Sequence, residues 1–287
     1  MPNLKDIRKR VSSVENTAQI TKAMKMVSAA KLRRAQEAAE NARPYAEKLS
    51  ELLGNLSSRV GEDAHPFLGE TGDAPAHVVL ISSDRGLCGG YNTNLIKLSE
   101  AFLEEDRAAD ATLTICGRRG RDYFGKRLGE RVQLEHVNLS SGFDLALARE
   151  IATDVSLRFM DGRAGSIYVV YTKFKSAISM TPTVERLIPI EQPEVAADGE
   201  TTDYSYEPSP ALLLGSLLSR YVETKIFQAM LEGTASEHGS RMTAMDNASR
   251  NAKEMIERLT LQMNRARQAS ITTELMEIVS GAEALNG

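Results

Sequence analysis

The stretch RMTAMDNASRNAKEMIERLTLQMNRARQASITTELMEIVSGAEAL, Arg241 to Leu285, places Met242, Met245, Ser249, Ala252, Ile256, Leu259, Met263 and Ala266 at alternating three- and four-residue steps. Residues so spaced fall on one stripe of an α-helix, and that stripe is the seam of a two-helix coiled coil. The matching half lies at the other end of the chain. Leu4, Ile7, Val11, Val14 and Ala18 keep the same rhythm, which continues through Ser28, Leu32, Ala35, Ala39 and Ala42. Two long terminal helices, paired antiparallel, are therefore expected to bracket whatever lies between them.

The period changes at His77. HVVLISSD, ATLTICG, VQLEHVN and SIYVVYTKF read as strands, with helical patterns between them at about 93–105, 118–128 and 143–160. Strand and helix alternating at this interval mean βαβ units and a mainly parallel sheet with helices on both faces, a Rossmann-like α/β domain. MTPTVERLIPI follows the last of these strands too closely for a crossover, so it is expected to pair antiparallel at an edge, where Pro182 and Pro189 are tolerated. The stretches around 60–76 and 191–210 are rich in Gly, Pro and acids and read as linkers. The fold class is thus α/β with a terminal coiled coil. Its expected parts are a helix over 1–59, a linker over 60–76, the α/β domain over 77–190, a linker over 191–210 and a helix over 211–287. Pro44 is expected to kink the first helix. Gly215, Gly233 and Gly239 are expected to make the first half of the last one irregular.

With 42% hydrophobic residues the 287-residue chain can bury a core, and the 5% aromatic content with no Trp suits slim helix packing. No stretch approaches the roughly 18 to 20 apolar residues of a membrane span. Residues 1 to 35 hold nine Lys or Arg against Asp6 and Glu15, an excess of seven positive charges in a chain whose net charge is −4. Such an arm suits an acidic protein surface, anionic lipid or nucleic acid. Without interleaved aromatics for base stacking, nucleic acid is the weakest of the three.

Chemistry of its own is hard to find in the chain. SDRGLCGGYN, Ser83 to Asn92, is a Gly-rich turn after a first strand, but Gly86, Gly89 and Gly90 do not fit GxGxxG and no P-loop Lys-Ser/Thr follows. The glycines read instead as a tight turn with positive φ, with Asp84 and Arg85 either fixing the loop or facing the terminal helix pair. His65, His77, His136 and His238 show no metal-ligand spacing. Cys88 and Cys116 form no CxxC pair and read as reduced, buried residues. No catalytic residue, cofactor or metal is expected.

Three motifs together, DIRKRVSSVENTAQITKAMKMVSAAKLRRAQ near the N-terminus, SDRGLCGGYN, and ITTELMEIVSGAEA near the C-terminus, resemble the gamma subunit family of the F-type ATP synthase, bacterial type, in family order and over the whole length. The resemblance implies a central rotor shaft inside a ring of three alpha and three beta subunits, with the α/β domain near the epsilon subunit and the membrane c-ring. It implies that Met24 and Lys25 lie where the acidic lever of the beta subunit touches, and that Arg241, Gln268, Thr272 and Glu274 engage the beta catch loops. It also implies that the apolar surface of Ile271, Leu275, Ile278 and Val279 runs in a hydrophobic bearing. A peripheral place on the cytoplasmic face of a bacterial inner membrane, held there only through the complex, is the location it suggests. The alternatives are a nucleotide-dependent enzyme built on the α/β domain, and a coiled-coil scaffold binding nucleic acid or anionic membrane through its basic arm.

Overall fold

The computed structural model describes residues 4–60, 65–69, 74–139, 144–177, 179–190 and 210–286, with side chains undescribed at 57–60, 210–212 and 283–286. Two long helices, α1 (Leu4–Val60) and α5 (Pro210–Asn286), frame a mixed region of β1 (Ala76–Ile81), α2 (Tyr91–Leu103), β2 (Thr112–Cys116), α3 (Arg118–Arg127), β3 (Val132–His136), α4 (Leu145–Met160), β4 (Ser166–Phe174) and β5 (Met180–Ile188). The strands form one sheet in the order β3-β2-β1-β4-β5. All neighbours are parallel except β4 and β5, which are antiparallel as the short connection requires. Pro182 stands opposite Thr172 on the edge strand β5.

Burial on both faces explains why β1 reads as a continuous apolar run, whereas the other edge strand, β3, alternates between half-buried and exposed residues. Val79 and Ile81 point into one core layer with Leu53 and Leu56 of α1, Ile151 and Phe159 of α4, and Leu218, Val222 and Ile226 of α5. Val78 and Leu80 point into the other, with Leu95 and Phe102 of α2 and Phe124 of α3. The polar member of β1, His77, is fully buried and bridges two hydroxyls of β2, with Nδ1 2.7 Å from Thr112 and Nε2 2.9 Å from Thr114.

Packing divides the chain into one unit of residues 1–28 with 242–287 and a second of residues 29–241. This division differs from the helix-by-helix one expected from the sequence. The later part of α1 and the first half of α5 supply one of the core layers of the sheet, so they belong to its unit. In the first unit the coiled coil is plain from burial. Ile7, Thr21 and Ser28 of α1 and Met245, Ala252 and Leu259 of α5 are buried. Val11, Val14, Ala18, Ser249, Ile256, Met263 and Ala266 are half-buried between them. Lys25 Nζ donates to Asp246 Oδ1 at 2.6 Å across the pair.

Pro44 lies inside α1, as expected, and is exposed. Two expectations about regularity change. α5 is unbroken through Gly215, Gly233 and Gly239. Two of these glycines permit close approach: a Cβ at Gly233 would lie 3.3 Å from Ile81, and one at Gly239 would lie 2.9 Å from the Met180 methyl. Finally, the first expected linker carries a 3-10 turn, Pro66–Leu68, whose Phe67 is buried edge-on against Phe159 at 5.8 Å. The second expected linker lies outside the described residues except at Pro210, which opens α5. Among the described residues no helix is long and apolar enough to cross a membrane.

Candidate functional site

The Gly-rich loop after β1 is a joint. Asp84 accepts backbone N–H groups from Arg118 at 2.9 Å, Asn138 at 3.1 Å and Leu139 at 2.6 Å. The Ser83 carbonyl accepts from Arg119, and Ser82 Oγ accepts from Gly120 at 2.9 Å. Consecutive residues of β1's exit thus cap the N-terminus of α3, whose own N-cap, Gly117, offers no side chain. Gly117 is obligatory here, because its φ is +98° and a Cβ would come within 2.3 Å of the Ser82 carbonyl oxygen. Asn92 closes the loop through Ser83 and by donating to Cys88 Sγ at 3.1 Å. Burial raises the Cys88 thiol above its ordinary pKa and pushes that of Cys116 up to about 12, so neither is a ready thiolate.

In an open α/β sheet, ligands enter at the carboxyl ends of the strands, where the order reverses between β1 and β4. α5 crosses that place. Ser236 Oγ donates to the Thr172 carbonyl at 3.0 Å, Glu232 accepts from the Phe174 N–H at 3.2 Å, and Gly233 stands over Ile81 and Tyr91. The crevice is filled by the chain's own helix. Among the described residues no group of three or more His, Cys, Asp and Glu could hold a metal ion.

The residues implied as partner contacts fall into two classes. Arg241 is only 7% exposed. Its guanidinium pairs with Glu237 at 2.6 Å, contacts His238 Nδ1 at 3.2 Å and donates to the carbonyls of Gly86 at 3.2 Å and Arg85 at 3.4 Å. It faces inward, because a buried guanidinium must satisfy its donors and the loop supplies acceptors. Burial drives the pKa of His238 down to about 4, with Arg241 and Lys31 adding to the effect, so the ring is neutral near pH 7. This inward cluster was not legible in the sequence, where Arg241 was expected only as a partner contact.

The others lie in the coiled coil and at the end of α5. Met24 and Lys25 are half-buried, and Lys25 holds the Asp246 carboxyl below its ordinary pKa through their hydrogen bond. Counting back along α1 from Lys25 to Leu4, and equally far along α5 from Asp246, sets Leu4 level with Arg267. Every residue from Arg267 to Ala282 is exposed. Gln268, Thr272 and Glu274 are among them, as are Ile271, Leu275, Met276, Ile278 and Val279, with Ile278 68% exposed. Thr272 Oγ1 donates to the Gln268 carbonyl at 2.9 Å, and Ser270 Oγ donates to Glu274 at 3.2 Å. The basic residues Lys5, Arg8, Lys9, Arg10 and Lys22 are exposed as well.

The family model described as ATP synthase matches residues 3–285. The ATP synthase gamma chain of Anaeromyxobacter sp. is 50% identical, covering 99% of this chain and 100% of its own length. That of Geotalea daltonii is 47% identical, with 100% of both chains covered. Among solved structures, the central stalk and c-ring of the Tetrahymena thermophila mitochondrial ATP synthase contains a chain that is 25% identical, with a TM-score of 0.61, covering 80% of this chain and 99% of its own. A chain of the Euglena gracilis mitochondrial ATP synthase shares the fold, with a TM-score of 0.68 over 98% of this chain and 94% of its own at 17% identity. A full-length match at this identity, on a coiled coil joined to a Rossmann-like sheet, leaves one assignment: the chain belongs to the ATP synthase gamma chain family.

Proposed function

We propose that this chain is the central-stalk rotor subunit of an F-type ATP synthase, transmitting torque between the ion-driven c-ring and the catalytic alpha3-beta3 ring during ATP synthesis or hydrolysis. The observation that carries the reading is the end of α5, where some four turns of helix are exposed and Ile271, Leu275, Met276, Ile278 and Val279 spread over nearly half of the circumference. Apolar surface of this kind calls for an enclosing partner. An apolar collar suits a turning shaft, because hydrophobic contact has no preferred direction and leaves rotation free. Met24, Lys25, Gln268, Thr272 and Glu274 are the polar and half-buried positions through which the beta subunits would grip it. Individually such exposed contacts are worth about 0 to 1 kcal/mol, weak enough for one partner to release what the next takes up.

Torque transfer is a coupling free energy between remote sites, and it needs an element whose orientation both sites bias. On this reading α1 and α5 are the elements that would have to carry it. On this reading the chain carries no catalytic residue or cofactor, and the chemistry belongs to the ring. It meets the epsilon subunit and c-ring through the α/β domain, and lies on the cytoplasmic face of a bacterial inner membrane only through the complex. The full-length family match favours this over a scaffold that binds nucleic acid or lipid through its basic arm. Purification of the tagged chain from its native membranes tests it: three alpha, three beta and a c-ring should accompany one copy. A chain recovered alone, or with nucleic acid, would sink the reading.

A further inference from the structure

The seam of α1 runs through Val11, Val14, Ala18, Thr21, Lys25 and Ser28 at strict steps of three and four, and Lys25 is the one charged residue among them. Thr21 and Ser28, before and after it on the stripe, are buried, and Lys25 itself is half-buried. Its ammonium reaches Asp246 Oδ1 at 2.6 Å, while Arg250 stands 3.5 Å from the other carboxylate oxygen. The two side chains remain 44% and 37% exposed, and an ion pair so open to water adds little to stability. What it can add is position. Seam residues recur every three or four places, so a slide by that much lays seam on seam again, and the small Thr21, Ser28, Ser249 and Ala252 distinguish one register from the next only weakly. Charge distinguishes them sharply. Sliding α5 one way sets Lys25 level with Arg250 after four residues and with Lys253 after seven, and from Gly239 to Lys253 the sequence holds no acid but Asp246.

We propose that the Lys25–Asp246 pair locks the register of the terminal coiled coil and so sets how much of α5 stands free. With the pair closed, Leu4 is level with Arg267, where the fully exposed end of α5 begins, and a slide of four residues would cover or bare about one further turn. A polar residue at a single seam position fixes register in coiled coils generally, at some cost in stability. Lys25 is then a positioning residue whose charge is matched within the chain. The lock is a property of the full chain and does not depend on the rotor reading.

The test reads register as a distance between spin labels on the full chain carrying R10C and N251C, two exposed positions, while the buried Cys88 and Cys116 escape labelling in the folded protein. A slide of half a heptad carries one label past the other by roughly 5 Å. In this background K25M, D246N and K25E/D246K are compared, with thermal unfolding measured on the same samples. The parent should give one narrow distance. K25M should keep or raise the unfolding midpoint, because an apolar seam residue packs better, and yet split or broaden the distance by roughly 5 Å as further registers become populated. D246N should broaden it too, with little change in midpoint. K25E/D246K, which restores opposite charges with the signs exchanged, should return a single narrow distance. If K25M does not fold, D246N and the charge exchange carry the comparison. Distances that stay narrow in D246N and in K25M would overturn the proposal, as would a charge exchange that is no sharper than D246N. The rotor reading is decided separately, by the subunits that accompany the chain, and survives either result.

Discussion

At Asp84 a single carboxylate gathers backbone N–H groups from the start of α3 and the end of β3. Hydrogen bonds to a charged acceptor contribute about 1.5 to 3 kcal/mol each, less where water can replace them. Asp84→Ala should therefore lower stability by about 2 to 4 kcal/mol, and Asp84→Asn by less, as read from urea unfolding of the full chain. His77 sets a pH dependence. Burial depresses its pKa from 6.5 to about 4, with Arg158 adding to the shift and Asp154 opposing it. The folded ring thus resists a proton that the unfolded one accepts. Its contribution is complete above pH 6.5 and falls away as the pH drops towards 4, by about 3 kcal/mol over that window. His77→Asn should flatten the fall in unfolding midpoint between those pH values, whatever it does to stability at pH 7. The sequence marked the loop containing Asp84 as special, and its composition excluded a phosphate cradle. It did not reveal that Asp84 caps a helix beginning at Arg118, because that contact is set by strand order and not by spacing along the chain.

At the level of elements, the same distinction separates what the sequence disclosed from what it hid. Alternating three- and four-residue steps located both terminal helices, since the seam is a local property of a 3.6-residue period. The close spacing of β4 and β5 dictated an antiparallel edge. The glycines of α5 misled, because low helix propensity is local whereas the approach of a helix to a sheet is not. The two effects predict opposite outcomes at neighbouring sites. At Gly215 an added Cβ meets only the His65 ring at 3.5 Å, an ordinary contact. Gly215→Ala should stabilise by about 0.5 to 1 kcal/mol through helix propensity. At Gly233 the Cβ would press on the fully buried, β-branched Ile81, which cannot swing aside. Gly233→Ala should therefore bring no gain and a net loss. Thermal unfolding of the two variants beside wild type decides the matter, and equal shifts would mean that α5 stands off from the sheet.

For the whole molecule, the end of α5 separates folding from function. Every side chain from Arg267 to Ala282 is exposed, so none of them contributes much to holding the chain together. Replacing Ile271, Leu275 and Ile278 together by serine changes helix propensity only slightly, and exposed substitutions away from packing features usually stay within about 0.5 kcal/mol each. The isolated chain should consequently unfold within a few degrees of wild type. In the complex the same three changes remove the apolar surface that a bearing would enclose. Recovery with the alpha and beta subunits, or proton pumping per ATP hydrolysed, should then fall. The paired readout is what gives the experiment its force. A chain destabilised as much alone as in the complex would show that these residues serve its own fold. Unchanged assembly and pumping would show that nothing grips the shaft there, and torque would have to pass through the coiled coil around Met24 and Lys25 instead.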